Sequence, residues 1–124
     1  MNAPTVLMIF DEPKDIQVYG AYLRARGYET LMCTFPAEGI NRLETESVSI
    51  VIVSQGTPAF EGRQVLERSV QLHPEVPVLV VARVVNMHCY LEAMDLGAFD
   101  YLESPDPQDL ASVIETQFLR CAFA

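Results

Sequence analysis

The stretch Gly97-Ala98-Phe99-Asp100-Tyr101-Leu102-Glu103-Ser104-Pro105 decides how this chain is read. Gly97 stands where a helix C-terminal glycine belongs. The run Asn86 to Leu96 before it is helical, with Asn86 suited to the N-cap. Ala98 to Leu102 reads as a short strand. Beyond the break at Pro105, Pro107 to about Arg120 reads as a helix capped by Asp106, with Leu110, Val113, Ile114 and Phe118 inward.

Working back toward the N-terminus, the same alternation repeats. Pro77 to Ala82 is a continuous apolar strand. Gly62 to His73 is a helix with apolar Val65, Leu66, Val70 and Leu72, ended by His73-Pro74. Gln55 to Glu61, with Gly56 and Pro58, is a loop. Val48 to Val53 carries no charge and has the composition of a strand buried on both faces. Pro36 to Glu46 is a helix with proline in its first turn. Tyr28 to Cys33 is a strand. Lys14 to Arg26 has Ile16, Tyr19, Tyr22 and Leu23 at helical spacing, with Gly27 as its stop. Thr5 to Phe10 is the first strand, broken by Asp11-Glu12-Pro13.

Strict alternation of short apolar strands with amphipathic helices implies an α/β fold with a parallel sheet covered on both faces. Right-handed crossovers leave few topologies. The expectation is a flavodoxin-like (βα)5 three-layer sandwich with strand order 2-1-3-4-5 and its site at the switch point between strands one and three. The loops that matter then follow Phe10, Val53 and Val81. At 124 residues the chain fits one domain, 1–124.

Half the residues are hydrophobic, and no apolar run approaches the roughly 20 needed to cross a bilayer. The start Met1-Asn2-Ala3-Pro4 lacks the features of a secretory signal. The net charge of −9, with eight scattered Lys and Arg, argues against direct nucleic-acid binding and for partners with basic patches. Cys33, Cys89 and Cys121 show neither metal nor disulfide spacing and read as buried free thiols in a reducing cytoplasm. His73 and His88 lack a partner histidine or an acid at ligand spacing, so no metal site is expected.

Four segments in order resemble the response-regulator receiver domain, over nearly the whole chain. Val6-Leu7-Met8-Ile9-Phe10-Asp11-Glu12-Pro13 is similar to the family's opening Val-Leu-Ile-Val-Asp-Asp-Glu-Pro. Ser54, with Pro58 four residues on and Gly62 eight on, has the spacing of the phosphoacceptor aspartate. Pro77-Val78-Leu79-Val80-Val81-Ala82 resembles the fourth strand, which in the family ends in Thr or Ser. Gly97 to Pro105 resembles Gly-Ala-x-Asp-Tyr-Leu-x-Lys-Pro. The resemblance implies bacterial two-component (phosphorelay) signal transduction in the cytoplasm. It also implies protein partners: a histidine kinase, an effector domain or another signalling protein.

The family's phosphate chemistry does not carry over. The acceptor position holds Ser54, an alcohol with no neighbouring base in the pattern. Of the acids that hold magnesium in the family, the first is replaced by Phe10, leaving Asp11 and Glu12. Ala82 and Ser104 stand where the family has its phosphate-sensing hydroxyl and its lysine. Phe10 is expected to place a ring where a hydrated ion would sit, and the pocket to lose charge of both signs. Arg83 reads as a solvated loop arginine, with pairing to Asp11 or Glu12 in the lysine's stead as the alternative.

The reading is therefore an atypical, phosphorylation-independent receiver that acts by protein–protein interaction, with no enzymatic activity and no cofactor. It stands alone or as the N-terminal part of a longer regulator. Tyr101 stands where the family has a switch aromatic, or is a partly buried edge-strand tyrosine. Met87, Tyr90, Leu91 and Met94 mark a contact surface, and the resemblance implies homodimers through helix four, strand five and helix five. The alternative is a small flavodoxin-like cofactor-binding protein or enzyme. Against it, Asp11-Glu12-Pro13 is acidic and its proline lacks an N–H, unsuited to cradling a phosphate.

Overall fold

The structure, a computed structural model, describes residues 3–122, with side chains to residue 120; Met1, Asn2 and the Cys121 thiol lie outside it. Five strands and five helices alternate: β1 (Thr5–Ile9), α1 (Pro13–Ala25), β2 (Glu29–Cys33), α2 (Pro36–Thr45), β3 (Ile50–Ser54), α3 (Arg63–Leu72), β4 (Val78–Ala82), α4 (Met87–Leu96), β5 (Asp100–Glu103) and α5 (Pro107–Ala122). All strand pairings are parallel, in the order β2-β1-β3-β4-β5.

The period-two alternation of the strands divides the core. Val6, Met8, Phe10, Ile50, Ile52, Leu79 and Val81 face α1 and α5, where Ile16, Leu23, Leu110 and Ile114 close the layer. Leu7, Ile9, Val51, Val53, Val78, Val80 and Ala82 face the other way, against Leu43, Val65, Leu66, Cys89 and Ala93. Each fully buried aliphatic side chain contributes about 1.5–3 kcal/mol relative to exposure. The sheet therefore needs apolar residues at every position of its central strands.

Strand boundaries shift by one or two residues from the sequence reading, and three of the shifts have a clear local reason. β1 ends at Ile9, although the Phe10 amide still donates to the Cys33 carbonyl at 3.0 Å. β3 begins at Ile50; Ser49 bonds Thr5 through both its amide and its hydroxyl. β5 begins at Asp100 because the Ala98 amide closes the end of α4 on the Ala93 carbonyl. Gly97 makes that closure with φ +109, a conformation costly for any residue with a Cβ. Asn86 caps α4 as expected, its side chain accepting from the Cys89 amide.

Candidate functional site

The carboxyl ends of β1, β3, β4 and β5 meet at one edge of the sheet. There the Ser54 hydroxyl accepts from the Asp11 amide at 3.2 Å and donates to Asp11 Oδ1 at 3.2 Å. The outer side of the same carboxylate is taken by Arg83, whose Nη2 donates to Oδ2 at 2.9 Å and Nη1 to Oδ1 at 3.4 Å. Asp15 lies 3.9 Å from Nη1. The hydrogen bond and negative charge of Asp11 raise the Arg83 pKa further above its usual value. The Arg83 carbonyl, in turn, accepts from the Ser104 hydroxyl at 2.8 Å, and the Ser104 amide donates to the Ala82 carbonyl at 2.7 Å. Ser104 holds φ +37 in doing so.

This geometry corrects two readings of the sequence. Arg83 is not a free loop cation: its guanidinium forks onto Asp11, so the pocket keeps charge of both signs. Nor does the Phe10 ring stand free in the pocket, although Phe10 is among the residues lining the small space beside Asp11, Ser54 and Arg83. It is 2% exposed and sunk in the α1/α5 layer against Tyr19, with ring centroids 5.6 Å apart. Its parity matches Val6 and Met8, which sends it inward. The Arg83 and Asp11 side chains remain 52% and 43% exposed, so the pair contributes only about 0–1 kcal/mol. Its effect lies in occupying Asp11. Magnesium requires several oxygen ligands at octahedral positions. Asp11 is the one acid left of the set the resemblance points to, apart from neighbouring Glu12, and its oxygens are engaged by Arg83 and Ser54. Glu12 is used as the α1 cap, accepting from the Lys14 amide at 3.2 Å. The residues present therefore do not fit a magnesium site. Among the described residues no cluster of metal-ligating side chains occurs elsewhere; His88 is exposed and 3.6 Å from Glu92, and His73 bonds the Leu43 carbonyl.

A second network starts one residue after Ser54. Gln55 is 2% exposed, and its Oε1 accepts a short hydrogen bond from the Tyr101 hydroxyl. That hydroxyl also accepts from the Asn86 amide at 3.1 Å, at the start of α4. Tyr101 packs edge-on against Tyr90 at 5.4 Å, and burial is the main cause that raises its pKa. Tyr101 is thus turned inward and bonded at its tip. Gln55 escaped the sequence reading because a polar residue at a strand end looks like loop; only its place beside Ser54 pointed to it. The sequence likewise places Glu61 only in the loop. Its carboxylate accepts from the Thr57 amide and hydroxyl, which lowers its pKa. Gly62 seats α3 close to Ser54: a Cβ there would meet the Ser54 carbonyl oxygen at 2.1 Å.

The four residues of the expected contact surface separate. Met87 and Leu91 are 63% and 58% exposed, and Met94 is also exposed. Tyr90 is half-buried and belongs to the core side. Val84 and Val85, not singled out in the sequence, extend the exposed apolar stripe into the β4–α4 loop.

The sheet is parallel and five-stranded, with Asp11, Ser54 and Arg83 gathered at the carboxyl ends of β1, β3 and β4. The family model for the response regulator receiver domain matches residues 6–115, and the chain belongs to that family. It is 24% identical over 121 residues to the transcriptional regulatory protein BaeR of Escherichia coli, a match covering 97% of this chain and 50% of that protein. The chain thus spans about half the length of this relative, and less of some others. Among solved structures, a CheY-like receiver domain protein from Methanospirillum hungatei superposes with TM-score 0.91 at 20% identity, covering 98% of each chain. The beryllofluoride-activated NtrC4 receiver domain dimer superposes with TM-score 0.84 at 19% identity, covering 94% of this chain and 98% of that one. The protein is a receiver domain of two-component signalling, and its membership of that family does not favour the flavin-binding or enzymatic alternative. No described helix is long and apolar enough to cross a membrane.

Proposed function

We propose that residues 1–124 form one receiver unit that signals in the cytoplasm through protein contacts, without aspartyl phosphorylation, catalysis or cofactor. The observation that carries this reading is the Arg83–Asp11–Ser54 network. The alcohol at the acceptor position is bonded to the one carboxylate that could activate it or hold metal, and that carboxylate is clamped by a guanidinium. The acceptor position carries no carboxylate, and the acids that remain do not fit a magnesium site, so aspartyl phosphorylation lacks its nucleophile and its metal ligands. Ala82 and Ser104 fit the same reading, since neither supplies what a phosphoryl group would need.

The partner surface in this reading is the α4 face with β5 and α5. Met87, Leu91 and Met94 recur at helical spacing on the outside of α4, with exposed Val84 in the loop before it, and large exposed apolar residues mark contacts. Exposed Asp95 and Glu103 flank them. The partner is a second copy of this domain, a kinase or an effector domain presenting apolar groups. Incubation with acetyl phosphate and magnesium, followed by intact-protein mass measurement, tests the central point. No phosphoryl adduct is expected. A high-stoichiometry adduct on Ser54 or Asp11 would end the phosphorylation-independent reading.

A further inference from the structure

On the β2–α2 side of Asp11 and Ser54, away from Arg83, the sheet edge opens into a cavity of about 320 Å3. Its walls are Ile9 and Val53 from the strands and Phe35 and Pro36 from the start of α2, and its polar end carries Asp11 and Glu61. Two features are unusual. Phe35 occupies the N-cap position of α2 with no side-chain cap bond, where Ser, Thr, Asp or Asn would make one. Phe35 is 68% exposed and lines the cavity. Glu61 is held ionised by Thr57, and among the described residues no cation pairs with it. Arg83 offsets Asp11 from the far side and does not line this cavity. The cavity is therefore apolar along its walls and negative at its end.

We propose that this cavity binds a small organic cation: one aromatic or compact apolar body against Phe35, Pro36, Ile9 and Val53, with a primary ammonium on Glu61. The volume lies near the lower end of ligand sites, roughly 300–1,000 Å3, which limits the body to about one ring. An anion of the same shape meets two carboxylates and is rejected. The cavity shares Asp11 and Ser54 with the candidate site, but binding of a cation on Glu61 does not depend on whether Ser54 accepts a phosphoryl group, and it leaves the α4 face unused.

The test uses two probes of like shape and opposite charge, 2-phenylethylammonium and phenylacetate, titrated into the full chain and followed by two-dimensional amide NMR. The ammonium probe is expected to shift the Phe35, Val53, Ser54 and Gly62 amides saturably, with a dissociation constant on the order of 1 mM for so small a ligand. Phenylacetate should bind at least about tenfold more weakly, the ratio that one lost charge contact supplies. Phe35→Ser, which supplies the missing cap and so keeps α2 folded, should weaken the ammonium probe by about tenfold. Glu61→Gln should bring the two probes to similar affinity. Equal binding of both probes to the wild type, no saturation by either, shifts confined to other parts of the chain, or full affinity in Phe35→Ser would each overturn the proposal.

Discussion

Tyr101→Phe removes one oxygen from the buried junction between β3, β5 and α4, and its cost follows from what that oxygen does. The hydroxyl donates to Gln55 Oε1 and accepts from the Asn86 amide. The Phe ring would keep the edge-on packing against Tyr90, so no cavity term of note arises. Each lost bond costs about 1 kcal/mol, and a stranded acceptor adds about 1 kcal/mol more when it is as buried as Gln55. The expected loss is therefore about 2–3 kcal/mol, which for a chain of this length lowers Tm by roughly 4 °C per kcal/mol, or about 10 °C in total. Urea titration should show the midpoint falling with the slope unchanged. Gln55→Leu alone should also destabilise, since it strands the tyrosine O–H. The double variant should then be about 1–2 kcal/mol more stable than the sum of the two predicts, because it removes both partners of one bond. If Tyr101→Phe is neutral within about 0.5 kcal/mol and the pair is additive, the hydroxyl is in solvent and the inward placement of Tyr101 is refuted.

Three further outcomes are expected. Arg83→Ala should change stability by no more than about 1 kcal/mol, as suits a half-exposed pair, yet it frees Asp11; magnesium should then perturb the Asp11 and Ser54 amides more than in the wild type, and identical titrations of the two proteins would contradict the clamp. Stability should fall with rising alkalinity: burial first, then Glu38, raises the Cys33 thiol from 9.0 to about 11, so its contribution is complete below pH 9.0 and is lost as pH climbs toward about 11. Urea midpoints against pH should drop over that window, and Cys33→Val should flatten the drop; a midpoint that rises there reverses the sign. Finally, Ser54→Asp alone should gain no phosphoryl group, whereas Phe10→Asp, Ser54→Asp, Ala82→Thr and Ser104→Lys combined with Arg83→Ala should gain one with magnesium, and magnesium should then raise Tm. Phosphorylation of the single Ser54→Asp variant, read by mass, would show the pocket was never disabled.

The sheet order could be read from the sequence because parallel strands buried on both faces have to be apolar throughout, as in Val48 to Val53, and because Gly97 and Asn86 mark the ends of α4 by their own backbone chemistry. The parity of Phe10 with Val6 and Met8 is equally present in the sequence, but the position also aligns with a pocket acid, and only packing decides that parity prevails. Arg83 and Gln55 were not legible in the same way. Whether a long side chain on a loop swings over a carboxylate depends on loop geometry, which periodicity does not encode. Whether a strand-end glutamine is buried depends on a tyrosine 46 positions away in the chain. The cavity wall at Phe35 was hidden for a related reason, since an aromatic before a proline reads as ordinary strand-to-helix passage.

The burial of Phe10 also bears on what restoring a metal pocket would take. A single change of Phe10 to an acid would remove a ring packed on Tyr19, at a cost of about 3–5 kcal/mol, before any metal could be gained. That is a large share of the roughly 5–15 kcal/mol that holds an ordinary domain folded. Nothing would offset it, because Arg83 would still hold Asp11 and Ser54 would still lack a carboxylate. A magnesium pocket here therefore requires several substitutions made together, with the stability cost at Phe10 among them.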